Sequence, residues 1–329
     1  MSRATLHTDI CDFFGIEYPV LLAGMGGVAM SDLVAAVSNA GGLGVLGAAT
    51  LDPEGLRREI HRIRQLTDKP FAVDLLAPIP DFIRGHMKVL FEERVEIFVA
   101  GLAVPDEFVA DMKANGMKIV VMTGKVRHAL KAESAGADVV VAQGTEAGGH
   151  TGEIGGMALV PQVVDAVSIP VLAAGGICDG RGVAAALALG ASGVVIGTRF
   201  VATKEAQAAP SYQKAIVEAA EDATLRTRCY TGKPARTIRN RYSAEWEDKK
   251  DQLQPYPAQM LYSARNNLLD FGGVGGDIDP ERCFMPAGQG LGMIESVRSA
   301  AEVLEEIVAE AAETLRAIAR YAGPNSEGV

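Results

Sequence analysis

Residues 139–151 read VVVAQGTEAGGHT, and this stretch decides the fold. Three valines and an alanine in succession suit a strand buried on both faces, as in a parallel sheet with helices packed on it. The run then breaks into Gln143, Gly144, Thr145, Glu146, Ala147, Gly148, Gly149 and His150. An amide, a carboxylate, three glycines and an imidazole thus follow directly on a strand end. Glycine there lets the backbone approach a bound ligand closely. Loops at the carboxyl ends of parallel strands are where α/β proteins keep their chemistry.

The same pattern recurs on both sides. Short apolar runs at 19–23, 43–46, 70–75, 97–100, 118–122, 139–142, 170–174 and 193–196 alternate with helical patterns. One of these helices carries its own start signal, with Asp52 as N-cap and Pro53 at the first position. Eight such units predict an α/β fold with a parallel sheet closed as a (β/α)8 arrangement, the TIM barrel, with an open doubly wound sheet as the alternative. The pattern stops after Ala209. Residues 210–290 show no strand alternation, hold the only tryptophan, Trp246, and contain the cations Lys233, Arg236, Arg239 and Arg241. They are predicted to form a mainly helical inserted cap or substrate domain. An amphipathic helix then runs from Gly292 to Tyr321 and packs back on the barrel. The barrel domain is therefore expected to comprise 1–209 plus 291–329, with residues 323–329 frayed.

Composition narrows the function. A formal net charge of −10 argues against a nucleic-acid partner, whose electrostatic footprint is basic. It leaves room for an anionic small ligand held by backbone N–H groups. The four cysteines, Cys11, Cys178, Cys229 and Cys283, are scattered, form no C-x-x-C pair and offer no metal-ligand spacing with the five histidines. Free thiols, no signal-peptide pattern and no long uncharged apolar run predict a cytoplasmic protein without a membrane span.

Glycines cluster just past four predicted strands, at Gly24/Gly26/Gly27, Gly144/Gly148/Gly149, Gly175/Gly176 and Gly197. Each alone is accounted for by a tight turn; together they favour one large ligand met by backbone from several strand ends. Loops after the last two strands of a barrel frequently hold phosphate. Backbone N–H groups of Gly176, Gly197 and Thr198 are the candidates here. The segment GMGGVA lacks the full dinucleotide fingerprint, and no G-x-x-x-x-G-K-[ST] occurs, so a phosphate-bearing mononucleotide fits better. His150 can hold or move a proton near neutral pH beside that ligand. Glu146 reads either as a second acid or as a solvated loop carboxylate. Asp74, at the end of the third strand, needs a hydrogen-bond donor from a ligand or a neighbouring loop.

AGMGG after the first strand, QGTEAGGHTG after the sixth, PVLAAGGI and GASGVVIGTRF together resemble the nitronate monooxygenase family, formerly called 2-nitropropane dioxygenases. The resemblance extends to the GQG motif at Gly288, Gln289 and Gly290. It implies a TIM barrel with non-covalent FMN and a smaller helical domain over the strand ends. It further implies that the flavin ring meets Gly24, Met25 and Gly26 on one side and Gln143 on another. The phosphate would lie on Gly176, Gly197 and Thr198, with Gly149 and Gln289 nearby, and His150 falls on the family's active-site histidine. Many members carry asparagine where this chain has Asp74. The resemblance implies an oxidoreductase acting on a small-molecule substrate and O2, here alkyl nitronates or nitroalkanes. The alternative is reduction of enoyl thioesters or quinones with NADH or NADPH as donor, for which the cation cluster at 233–241 would bind a phosphate. A non-enzymatic flavin-binding barrel is disfavoured by the intact histidine loop. Whether the chain forms a homodimer stays open.

Overall fold

The computed structural model describes residues 6–76, 80–102 and 106–322. Its strands are β1 (Val20–Leu22), β2 (Gly44–Gly47), β3 (Phe71–Leu76), β4 (Ile97–Gly101), β5 (Lys118–Thr123), β6 (Val139–Gln143), β7 (Gly149–His150), β8 (Val171–Ala174), β9 (Gly193–Ile196), β10 (Thr224–Thr227) and β11 (Ala235–Ile238). Eight of them form one sheet in the order β1-β9-β8-β6-β5-β4-β3-β2, every neighbouring pair parallel. A parallel bridge between Leu21 and Leu43 brings the two ends together, with Leu22 N–H donating to Leu43 O at 2.9 Å and Leu43 N–H to Val20 O at 3.0 Å. The sheet is thus the TIM barrel that the alternation predicts.

Burial explains why the strand runs are continuous rather than alternating. Val139, Val140 and Val141 of β6 are all fully buried, because barrel interior and helical shell both exclude water. The helix Pro53–Leu66 starts where its signals place it, with Asp52 Oδ1 accepting from Gly55 N–H at 2.7 Å. The helix Ala300–Ala319 opens on a capping box of Ser299 and Glu302 and packs on the helix Gly180–Ala188. Close approach there depends on Gly180, where a Cβ would stand 2.3 Å from Ala311 N. No helix among the described residues is long and apolar enough to cross a membrane. All four cysteines are free and buried.

The 210–290 segment, expected to be mainly helical, also carries two strands. The segment contains β10 and β11, which pair antiparallel with each other, and β11 pairs antiparallel with β7 from the glycine loop. The register sets Ala235 opposite His150 and Arg236 opposite Gly149. Periodicity could not reveal β11: all four of its residues are buried, so its two faces do not differ in polarity. The helices Pro210–Val217, Arg241–Glu245 and Ala258–Arg265 make up further regular structure of this segment. The end expected to fray, residues 323–329, lies outside the described residues.

Candidate active site

A cavity of about 390 Å³ opens at the carboxyl ends of the barrel strands. Its floor is apolar barrel interior, including Val45, Val99, Val120 and Val141; its opposite wall is Met260, Leu269, Phe271 and Phe284 from the 210–290 segment. Between these two apolar surfaces lie the residues that the sequence singled out. Gly24, Met25 and Gly26 follow β1; Asp74 and Gln143 sit on β3 and β6. Gly148, Gly149 and His150 come from the glycine loop, Gly175 and Gly176 follow β8, and Gly197 and Thr198 follow β9. Gly27 and Gly144 do not join them, nor does Gln289, which lies at the far side of its turn. Its side chain is exposed and does not reach the cavity, whereas Gly288 and Gly290 do. The segment is fastened by its backbone: Gln289 N–H donates to Glu146 O at 2.8 Å and Gly288 N–H to Thr198 Oγ1 at 3.0 Å.

Asp74 is the least expected group in the cavity. It is 9% exposed, and its carboxyl makes no hydrogen bond among the described residues. The Gly24 backbone presses against it so closely that a Cβ at position 24 would stand 2.3 Å from Asp74 Cβ. Burial pushes the Asp74 carboxyl up to about 8, since the charged form has neither water nor a partner. It is therefore protonated over most of the neutral range and can donate a hydrogen bond, which an ionised carboxylate cannot do. The Gln143 carboxamide on the same wall likewise has no protein partner among the described residues. The Gly175–Gly176 turn has φ of 101° and 73°, a left-handed conformation that side chains other than glycine rarely adopt. The N–H groups of Gly176 and Gly197 donate to no protein acceptor among the described residues.

His150 is held by its strand and by one side-chain contact. Nε2 lies 2.9 Å from Thr231 Oγ1. The Thr231 hydroxyl is directed at Lys233 O, 3.2 Å away, and accepts from Lys233 N–H at 3.3 Å. With the threonine proton on that carbonyl, Nε2 carries the ring hydrogen and donates to Thr231, so the free lone pair is on Nδ1. With the threonine proton on Nε2 instead, the ring hydrogen is on Nδ1; the 2.9 Å contact fits both tautomers. Burial, and then the positive charge of Lys233, hold the imidazole down at about 4. At neutral pH His150 is an uncharged ring, and its Nδ1 has no protein partner among the described residues.

Two expectations are corrected. Glu146 is neither a second acid nor a solvated carboxylate. Its two oxygens accept from Gly156 N–H at 2.8 and 2.9 Å and cap the helix Gly156–Ala166. The cations at 233–241 do not form one patch. Arg236 is buried, with Nε donating to Thr145 O at 3.0 Å and Nη1 to Thr224 Oγ1 at 3.2 Å. Lys233 Nζ lies 4.4 Å from the centre of the Tyr256 ring, and Arg239 and Arg241 are exposed elsewhere. Sequence reasoning missed Thr231 and the apolar wall of Leu269, Phe271 and Phe284. Thr231 sits 81 residues from His150, and no local pattern links them.

The nitronate monooxygenase family model matches residues 7–85 and 83–310. Over 235 residues the chain is 42% identical to a Rhodococcus jostii protein named (3aS,4S,5R,7aS)-5-hydroxy-7a-methyl-1-oxo-octahydro-1H-indene-4-carboxyl-CoA dehydrogenase, spanning 71% of this chain and 66% of that one. Among solved structures it is similar to FabK from Thermotoga maritima, with a TM-score of 0.88, 37% identity, and coverage of 96% of this chain and 100% of that one. It is also similar to nitroalkane oxidase from Streptomyces ansochromogenes, with a TM-score of 0.85, 32% identity, and coverage of 94% and 99%.

Proposed function

The chain belongs to the nitronate monooxygenase family, and from that premise we propose an FMN-dependent oxidoreductase that oxidises small nitroalkanes and their nitronates with O2. The residues present suit FMN. A cavity of about 390 Å³ between two apolar walls matches a flat ring system, and Gly24 gives it backbone rather than side chain. The partnerless Asp74 and Gln143 would meet polar edges of the ring. The N–H groups of Gly176 and Gly197, with Thr198, would hold the phosphate, which needs no lysine. When bound, FMN supplies electron transfer between substrate and O2.

His150 carries the substrate assignment. A neutral imidazole with a free Nδ1 is equipped to take a proton from the carbon beside a nitro group. An anionic nitronate bound beside it would favour the charged ring, so the same group can serve as base toward a nitroalkane and as cation toward a nitronate. In this reading Thr231 accepts from Nε2 and leaves the lone pair on Nδ1. Residues 210–290 act as the cap: Phe271, Phe284 and Leu269 exclude water from the side of the cavity opposite the barrel.

A second reading is NAD(P)H-dependent reduction of an acyl thioester or quinone. The 42% identity to a protein named a carboxyl-CoA dehydrogenase favours an acyl-CoA ligand, as this reading requires. The two separate in one experiment, anaerobic mixing of the yellow protein with nitroethane, propionate 3-nitronate, NADH or NADPH. The nitro compounds are expected to bleach the visible flavin absorbance. Bleaching by NADH or NADPH alone would overturn the first reading in favour of the second.

A further inference from the structure

A second cavity, of about 540 Å³, lies beside the first and is walled by Arg226, Arg228, Trp246, Glu247, Lys250 and the 232–234 turn. The two cavities share that turn. Thr231 lines the first, whereas Gly232 and Pro234 line the second. Gly232 has φ of 81°, and a Cβ on it would stand 2.6 Å from Tyr256 N, so the turn packs backbone to backbone against residues 254–256. We propose that this groove docks the adenosine-phosphate end of a nucleotide-bearing ligand whose reactive end reaches the catalytic cavity across the 231–234 turn.

Charge comes first. In a chain of net charge −10, three cations face one groove that holds a single acid, Glu247. Arg228 is exposed and has no acidic partner among the described residues. Lys250 pairs only with Glu247, at 3.0 Å, and both side chains are solvent-accessible. Arg226 is set in place by Gly152 O at 2.7 Å, and its ion pair with Glu153 at 3.1 Å involves a largely exposed carboxylate. Exposed pairs of this kind contribute little, so an incoming phosphate competes with them readily. Guanidinium groups suit phosphate in particular because they donate in a planar fork.

The aromatic group completes the match. Trp246 is half-buried, supported by Tyr242 at 6.1 Å between ring centres, and contributes to the groove wall. A supported indole beside cations offers a stacking surface for a purine. The shared chemistry is adenosine with a pyrophosphate, found in coenzyme A thioesters and in nicotinamide dinucleotides alike. This inference goes beyond nitroalkane oxidation and does not depend on it.

Trp246 is the only tryptophan, so its fluorescence reports this groove directly. The yellow holoenzyme is titrated with coenzyme A, NADH, NADPH and inorganic pyrophosphate at low and high salt. Saturable quenching by at least one nucleotide, weakened by salt, is expected. Tighter binding of coenzyme A identifies a thioester ligand, and tighter binding of NADH or NADPH identifies a dinucleotide. Arg228→Gln and Lys250→Gln, both exposed side chains, should each raise Kd on the order of tenfold with an unchanged circular dichroism spectrum. No saturation below about 1 mM, equal binding of pyrophosphate and nucleotides, or unchanged Kd in both variants overturns the proposal. Binding is read without turnover, so failure of nitroalkane oxidation leaves this result standing.

Discussion

Replacing Asp74 with asparagine should stabilise the ligand-free protein, and the gain should grow with pH. The native carboxyl titrates at about 8 and its ordinary value is 3.8. Between those two values the folded state keeps a proton that the unfolded state has released. Stability therefore falls as pH rises through this window and is fully lowered only above about 8. At about 1.36 kcal/mol per pH unit, three units between pH 5 and pH 8, less the half-titration at the upper limit, amount to about 3–4 kcal/mol. Water entering the cavity would reduce this to about 2 kcal/mol. The asparagine variant has no such group and should lose less stability over the same interval. Urea unfolding of both proteins at pH 5, 6, 7 and 8 measures the difference. Parallel stability profiles, with a constant offset at all four pH values, would refute a buried protonated carboxyl at this position.

His150→Ala should retain flavin but lose about 10²–10⁴-fold in kcat/KM for the true substrate, the usual contribution of a general base. In the wild type the neutral ring is the active form, so kcat/KM should fall as pH drops through about 4; a fall centred well above that value would contradict the buried, uncharged ring. Thr231→Val should lower kcat/KM roughly tenfold or more and move the acid limb of the pH profile, with recovery in Thr231→Ser; an unmoved profile would assign Thr231 to packing alone. Arg236→Ala should destabilise the fold by about 2–4 kcal/mol, because it strips donors from Thr145 O and Thr224 Oγ1 in a buried setting. Normal stability with altered donor affinity would instead restore Arg236 to a ligand-binding role.

The barrel was legible because its strands are largely apolar runs, most of them closed by glycine or a polar residue. Burial on both faces erases alternation, but the repeat of strand and helix replaces it as a signal. Most cavity residues were legible for the same reason, since strand order places every carboxyl end at one rim. Long-range partners were not. Glu146 looks like a free acid until its loop folds onto Gly156, ten residues on. Arg236 looks like a surface cation because sequence cannot tell that β11 is covered on both sides. Arg226 and Arg228 drew no notice, because their relation to Trp246 and Lys250 exists only after β10 and the following turn are placed.

The pairing of β7 with β11 gives the 210–290 segment a hold on the imidazole that a detachable lid would not have. His150 sits opposite Ala235 in one ladder and bonds Thr231 just before it, and the neighbouring Thr151 N–H donates to Pro234 O at 3.3 Å. A one-residue slip in that ladder would turn the imidazole to the other face of the strand. Grafting this segment from a relative onto the barrel is thus a problem of strand register before it is one of substrate specificity. A chimera that preserves every cavity residue yet shifts β11 by one position would present a well-formed flavin cradle with its base pointing away.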